Sequence, residues 1–379
     1  RVRREQDARQ HRQERFQEEQ PEPPPPSTAP SDSLLDWHAI DNLTVLECAV
    51  NPNSMLFDVP HACIAGYANA QVDVLSRIED AASSGTEEEL ARALKWFLAL
   101  DAIILRTPTR GGSRGNAADS IVSQRLRLWR AEDMAPLLRK WRKDTSRAWD
   151  RRRLLAERTP TAPSESLRVT RALQLIADGE LSRAQAMLLS EGIHDCMDPA
   201  VLEQLRSRQP RRTTSMPTTP PTSHEVIATQ ISLRGVYRDL RRRRGAGVTG
   251  GRNEYLKALA ISHDDPRADR AIVEHERFAL RAYAGHLPAW FFLIWSTCNL
   301  TPLRRKPKPG RTAAETPPRP IAVGEPTQRA FATALTEAGT ETYKEFLMPQ
   351  QLAIDVSDAA GQLVNGFSAS LEHSRNRLY

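Results

Sequence analysis

Residues 300–325 constrain the fold of this chain more than any other segment. Two short apolar stretches at the ends of this segment flank a loop that is dense in Lys and Arg. This pattern predicts a β-hairpin in which Leu303, Ile321 and Val323 share one face. The cations of the loop suit a phosphate ligand, because charge-assisted hydrogen bonds to phosphate oxygens are strong. Those cations are Arg304, Arg305, Lys306, Lys308 and Arg311.

The same residues are compatible with a Pro-rich basic surface loop on an unrelated fold, and spacing alone leaves that alternative open. The 53 Lys and Arg against 47 Asp and Glu give a net charge of +6, which does not by itself require a polyanionic partner. The cations are clustered, however, in runs at residues 139–143, 151–153 and 241–244. Such runs supply most non-specific affinity for nucleic acid, although a charged run is as often a solvated surface.

The apolar spacing predicts a mainly α-helical chain that is divided into modules. Residues 1–32 are charged and Pro-rich, and we expect them to form a disordered tail. Residues 33–158 have helical spacing throughout, with Ser84 and Thr86 before Glu87 as candidate N-caps. Residues 159–208 contain a second apolar stripe, from Ala172 to Leu188, which is typical of a short helical module.

Residues 209–223 form the clearest linker, since their prolines remove backbone donors and interrupt helices. We therefore expect a last domain at residues 224–379, in which helices accompany the hairpin. Its predicted helices cover residues 226–244, 254–259, 268–295, 327–347 and 358–372.

No zinc site is predicted, because the four cysteines are scattered without a Cys-x-x-Cys pair. Asp264 and Asp265 are the one adjacent Asp pair in the sequence. They precede a proline at a predicted helix start, where carboxylates act as caps. We therefore interpret this pair as structural.

Three tryptophans, Trp129, Trp141 and Trp149, lie among many arginines and lysines. Such a mixture can stack bases and bind phosphates. The favoured interpretation is that the tryptophans pack in a helical core while the cations face water.

The longest apolar runs, at residues 96–105 and 287–295, are too short to cross a bilayer. The sequence also shows no secretory signal. We therefore expect a soluble, intracellular protein without a membrane partner.

Residues 319–325, Arg-Pro-Ile-Ala-Val-Gly-Glu, match a heptapeptide that opens the polymerase domain of non-LTR (LINE-type) retrotransposon reverse transcriptases. On this basis the chain resembles the N-terminal region and fingers of that family. Weaker similarity extends over most of residues 55–379 and includes a helix expected at residues 125–138. Two departures stand out. The family's Gly-Pro-x-Gly turn is here Gly-Val-Thr-Gly at residues 247–250, and residues 351–361 lack most of the family's glycines.

The resemblance implies an incomplete α+β fingers and palm region after the helical modules, with RNA and DNA as partners. The intact family enzyme is an RNA-directed DNA polymerase that uses Mg²⁺ held by aspartates. The family's aromatic-x-Asp-Asp sequence does not occur here. We therefore expect no catalytic residues, no metal bound by this fragment and no polymerase activity. The residues implied in nucleotide or template binding are Arg304, Arg305, Lys306, Lys308, Arg319 and Gly324.

Two alternatives remain. The chain is compatible with a non-catalytic, helical, basic scaffold that binds RNA or a protein partner. It is also compatible with a translated remnant without function.

Overall fold

The computed structural model describes residues 37–107, 116–156, 165–177, 180–189, 198–207, 231–262, 265–304 and 316–347, together with residues 192, 194 and 310. The described chain is mainly helical, which confirms the predicted fold class at this level. Two 3₁₀ turns, His38–Ile40 and His61–Cys63, accompany the longer elements. The helices are α1 Val45–Ala49, α2 Ile64–Ser84, α3 Glu87–Leu105, α4 Asn116–Arg130, α5 Met134–Ala156, α6 Glu165–Ala177, α7 Leu181–Leu188, α8 Pro199–Ser207, α9 Leu233–Asp239, α10 Asn253–Ile261, α11 Pro266–Tyr283, α12 Ala289–Trp295 and α13 Pro326–Leu347. The strands are β1 Asn299–Leu303 and β2 Arg319–Val323.

Side-chain caps define where two long helices begin. The hydroxyl of Thr86 accepts from the backbone N–H of Glu89, whose carboxylate accepts from the backbone N–H of Thr86. This capping box pairs donors that the first helical turn leaves unpaired, and it confirms the predicted cap of α3. Asp265 caps α11 by accepting from the N–H of Arg267. The structural interpretation is thus confirmed for Asp265, while Asp264 lies outside the described residues.

One apolar core runs through helices on both sides of residues 209–223. Helices α2 and α3 pack against each other, and α11 packs against α2. The ring centre of Phe278 on α11 lies 4.7 Å from that of Phe97 on α3 and 6.0 Å from that of Phe331 on α13. The proposed linker itself lies outside the described residues, but the segments that precede and follow it contribute to a single buried cluster.

The helix expected at residues 125–138 is instead two helices, α4 and α5, separated by a short turn. Glu132 in this turn has a φ of 56°, a left-handed conformation that ends α4. Trp129 and Trp141 are 3% and 2% exposed, whereas Trp149 is 45% exposed. The core interpretation is therefore confirmed for the first two tryptophans only.

Helices α6 and α7 pack against each other and form a small cluster apart from the main core. Its buried residues are Ala172, Leu175 and Ala184. The predicted apolar stripe is only partly buried, since Leu173 and Leu181 are 59% and 66% exposed. Two short helices have too little mutual contact area to cover an entire apolar face.

Two predicted helices after residue 224 are shorter in the structure than the apolar spacing predicts. Within residues 226–244, the described helix is α9 alone, and the predicted helix at 268–295 is divided into α11 and α12. Gly285 lies between them with a φ of 72°, which favours glycine and ends α11. The helix expected at residues 327–347 is present as α13. The tail at residues 1–32 and the helix expected at residues 358–372 lie outside the described residues.

Candidate nucleic-acid interface

Strands β1 and β2 pair as an antiparallel hairpin. In its register Asn299 pairs with Val323, Thr301 with Ile321 and Leu303 with Arg319. Because side chains alternate between the faces of a strand, Leu303, Ile321 and Val323 share one face, as predicted. All three side chains are half-buried.

The candidate ligand-binding residues are distributed between the two ends of this hairpin. Arg304 directly follows β1, and Arg319 begins β2 opposite Leu303, so both exposed arginines lie at the loop end of the ladder. Gly324 lies at the opposite end, beyond a ladder that spans about 13 Å at about 3.3 Å per residue. Arg305, Lys306 and Lys308 lie outside the described residues.

Gly324 is buried inside the protein rather than at an open surface. A Cβ atom there would lie 3.4 Å from Sγ of Cys298 and 3.5 Å from Oε1 of Gln328. These are ordinary van der Waals distances, and the φ of Gly324 is not among the positive ones. The contacts of this residue in the described chain are therefore intramolecular.

The outer edge of β1 is paired with the chain before α8. The N–H of His194 donates to the carbonyl oxygen of Pro302 at 2.9 Å, and the N–H of Arg304 donates to the carbonyl oxygen of Gly192 at 3.0 Å. Burial and the nearby charge of Arg304 lower the pKa of His194. These bonds hold the backbone of Arg304 in place, so its exposed side chain projects from an ordered base.

Glu325, the last residue of the heptapeptide, fixes the turn at residues 247–250. It is 3% exposed, and its carboxylate accepts from the backbone N–H of Thr249 at 2.8 Å and from the Thr249 hydroxyl at 2.9 Å. A Cβ atom at Gly247 would lie 2.4 Å from this carboxylate. Gly250 has a φ of 94°, a conformation that favours glycine. The turn thus keeps its two glycines for physical reasons although it lacks the family's proline.

A second buried carboxylate faces Glu325 across Gly251. A Cβ atom on Gly251 would lie 3.2 Å from Oδ2 of Asp101 and 3.4 Å from Oε2 of Glu325. Asp101 accepts from the hydroxyl of Tyr67 at 2.6 Å and from the amide of Gln71 at 3.3 Å. We call Asp101, Glu325 and Thr249 the carboxylate clasp, because they join α3, the turn and the end of β2.

Burial shifts both carboxyl groups of the clasp in the same direction. Loss of hydration raises the pKa of Glu325 to about 7 and the pKa of Asp101 to about 6. The cavity beside them has a volume of about 30 Å³, far below the range of about 300–1,000 Å³ that small-molecule sites occupy. We therefore interpret the clasp as a structural feature.

The basic run at residues 241–244 is partly engaged in contacts within the protein. Arg242 forms an ion pair with Asp58 at 2.7 Å. The guanidinium groups of Arg242, Arg243 and Arg252 surround the ring of Phe57 at 5.7, 4.9 and 5.5 Å from its centre. Such cation–π contacts hold these side chains against the surface. This run is therefore less available to a ligand than its sequence suggests.

Sequence reasoning did not find the clasp. The glycines of the 247–250 turn were its one local signal, whereas nothing near Asp101 or Tyr67 in the sequence marks them. Among the described residues, no group of three or more His, Cys, Asp or Glu could hold a metal ion. No described helix is both long and apolar enough to cross a bilayer.

The candidate site therefore consists of the hairpin, its exposed arginines and the clasp at its base. Comparison with protein-family models, with curated proteins and with solved structures finds no match to this chain.

Proposed function

We propose that this chain binds nucleic acid through the loop end of the β1–β2 hairpin, as the fingers region of a non-LTR retrotransposon reverse transcriptase would. The single observation that carries the proposal is the position of the heptapeptide. It supplies all of β2 and ends at a buried Glu325, with Arg304 and Arg319 exposed at the far end. RNA and DNA are the proposed partners.

The chemistry of the loop end fits a phosphate backbone. Arginine presents several N–H donors in a planar arrangement, and phosphate oxygens accept from them in charge-assisted bonds. Arg304 follows Leu303 directly, and Leu303 pairs with Arg319, so the two residues lie at the same end of the ladder. Neither arginine forms an ion pair with a described residue. Both are therefore available to a ligand anion.

The proposal is tested by binding of a fluorescent single-stranded RNA to the full chain over a salt series. We expect R304Q/R319Q to bind more weakly and to reduce the slope of log K against log salt by about 1.4, because each phosphate contact to a single strand contributes about 0.7. The control R139Q/R142Q removes the same charge from exposed positions of α5. Equal affinities and slopes for the two double variants would contradict the proposed role of the hairpin.

Catalysis is tested separately, by primer extension on an RNA template with Mg²⁺. We propose that the chain extends no primer, because the family's aromatic-x-Asp-Asp sequence does not occur in it. Extension above a no-enzyme control would contradict this part of the proposal.

The scaffold alternative has one observation in its favour. Leu173, Ile176 and Leu181 are 59%, 45% and 66% exposed on α6 and α7, and exposed apolar side chains in one region are typical of interaction surfaces. If the wild-type chain binds no RNA at low salt, a scaffold for a protein partner and a remnant without function are the interpretations that remain.

A further inference from the structure

A large groove lies at the base of the hairpin, away from its loop end. It encloses about 1210 Å³ between residues 51–55, α5, the turn at residues 246–250 and Asn299 at the start of β1. Pockets for small molecules span about 300–1,000 Å³, so this groove has room for an extended ligand. We call it the basal groove.

The walls of the basal groove are positively charged. Arg147, Arg151 and Arg152 on α5 line it, as does Arg252 beside the turn. The three arginines of α5 are exposed, and none of them forms an ion pair with a described residue. The groove therefore presents three arginines of α5 that are not paired with any carboxylate of the described residues.

One carboxylate lines the groove, and it is already occupied. Oδ2 of Asp144 accepts from Nε of Arg106 at 3.0 Å, and the two side chains are 7% and 1% exposed. A buried ion pair of this kind contributes no net charge to the groove. The field in the groove is therefore set by the arginines.

The side-chain amides and the threonine hydroxyl of the described lining are already hydrogen-bonded within the protein. The amides of Asn51, Asn53 and Asn299 donate to Met55, Thr145 and Ala246, and the hydroxyl of Thr107 donates to the carbonyl oxygen of Ser54. The arginines are therefore the groups through which this groove would bind phosphate oxygens. None of the described lining residues is aromatic, so they offer no ring on which bases stack. Contacts to phosphate and sugar groups carry no sequence information, so binding through the arginines is expected to be independent of sequence.

We propose that the basal groove binds the backbone of a single nucleic-acid strand. Its described lining comes from five separate segments around the ligand space, an arrangement that accommodates one strand more readily than a duplex. The inference rests on the proposed function, since it assigns a second contact site to the same class of partner. The proposed function places the contact at the hairpin loop, whereas this inference places it at α5.

The test uses the full chain, a labelled oligouridylate and the R147Q/R151Q variant. We expect the slope of log K against log salt to fall by about 1.4, because two contacts at about 0.7 each are lost. Arginine and glutamine have similar helix propensities, so α5 is retained, and circular dichroism checks this. The matched control is R139Q/R142Q on the same helix. Its two residues lie on the opposite face and do not line the groove.

The outcomes separate this inference from the proposed function. If R304Q/R319Q weakens binding while R147Q/R151Q equals the control, the hairpin binds RNA and the groove does not. If the wild-type chain binds no oligouridylate, both proposals are wrong. If polyglutamate competes as well as RNA at equal charge concentration, the groove binds acidic polypeptides, and the inference is overturned. If R147Q/R151Q reduces the salt slope for duplex RNA as much as for oligouridylate, the single-strand assignment is wrong.

Discussion

Gly247 and Glu325 show how strongly a single pair of residues constrains this structure. The carboxylate of Glu325 lies so close to the backbone of Gly247 that no side chain fits between them. Thr249 then holds the same carboxylate with two hydrogen bonds. The end of the heptapeptide therefore has a role in local structure that is independent of any ligand.

We predict that Gly247→Ala destabilises the protein by about 1–3 kcal/mol, because the added methyl group must displace the Glu325 carboxylate from its buried site. The free energy of unfolding in urea measures this. The matched control is Gly235→Ala on α9, where a Cβ atom has no neighbour within 4 Å. Alanine is favoured over glycine in a helix by about 0.5–1 kcal/mol, so this control is expected to stabilise the chain. Equal effects of the two substitutions would contradict the close approach of the Glu325 carboxylate to Gly247.

At the scale of elements, the carboxylate clasp connects parts of the chain that are distant in sequence. Asp101 belongs to α3, Thr249 to the turn before α10, and Glu325 to the segment that joins β2 to α13. The base of the hairpin is thus anchored to a helix of the N-terminal region. A change in the ionisation of the clasp is therefore expected to weaken the contacts among all three elements.

We predict that ionisation of Glu325 makes the clasp weaker at high pH. Its pKa is about 7 in the folded protein and 4.5 without burial, so the folded state binds the proton more tightly. The contribution of Glu325 to stability is thus complete below about pH 4.5 and is lost as the pH rises through about 7. At about 1.4 kcal/mol per pKa unit, the loss is at most about 3 kcal/mol.

The measurement compares the wild type with Glu325→Gln in urea at about pH 5 and about pH 8. We expect the stability of the wild type relative to the variant to fall between these two values. The comparison is necessary because burial lowers the pKa of His275 to about 4. Its contribution to the stability of the protein therefore has the opposite pH dependence and is lost as the pH falls. Both proteins contain His275, so its effect cancels. A pH-independent difference would show that Glu325 is not buried as described.

At the scale of the whole molecule, the described residues form one large apolar core and one small separate cluster on α6 and α7. Phe278 contacts Phe97 from the N-terminal region and Phe331 from α13. Arg281 on α11 also donates to Glu79 on α2 at 2.9 Å. These contacts cross the predicted linker, so the regions before and after it stabilise each other.

We predict that Phe278→Ala destabilises the N-terminal helices as well as its own region, at a cost of about 3–5 kcal/mol for the cavity. Hydrogen exchange measured by mass spectrometry is expected to show faster exchange in α3 and in α13. In contrast, Leu175→Ala removes a side chain of the separate small cluster, and its effect is expected to remain in α6 and α7. Faster exchange of residues 231–347 alone in Phe278→Ala would indicate independent domains.

The sequence by itself determined the helical class, the caps at Thr86 and Asp265 and the two strands of the hairpin. These features depend on side-chain periodicity and on hydrogen bonds between residues a few positions apart, so local patterns suffice to predict them. The sequence also indicated most of α10, α11 and α13, but it overestimated the length of α9 because apolar spacing does not show where packing partners end.

Only the tertiary structure decided how these elements are combined. Thr249 and Glu325 are 76 positions apart, and Tyr67 and Asp101 are 34 apart, so no local pattern connects them. The basal groove likewise requires five segments to meet, and the shared core requires α3 and α11 to pack across the predicted linker. The physical reason is that burial and close approach depend on which distant surfaces pack together, and this is a property of the whole chain.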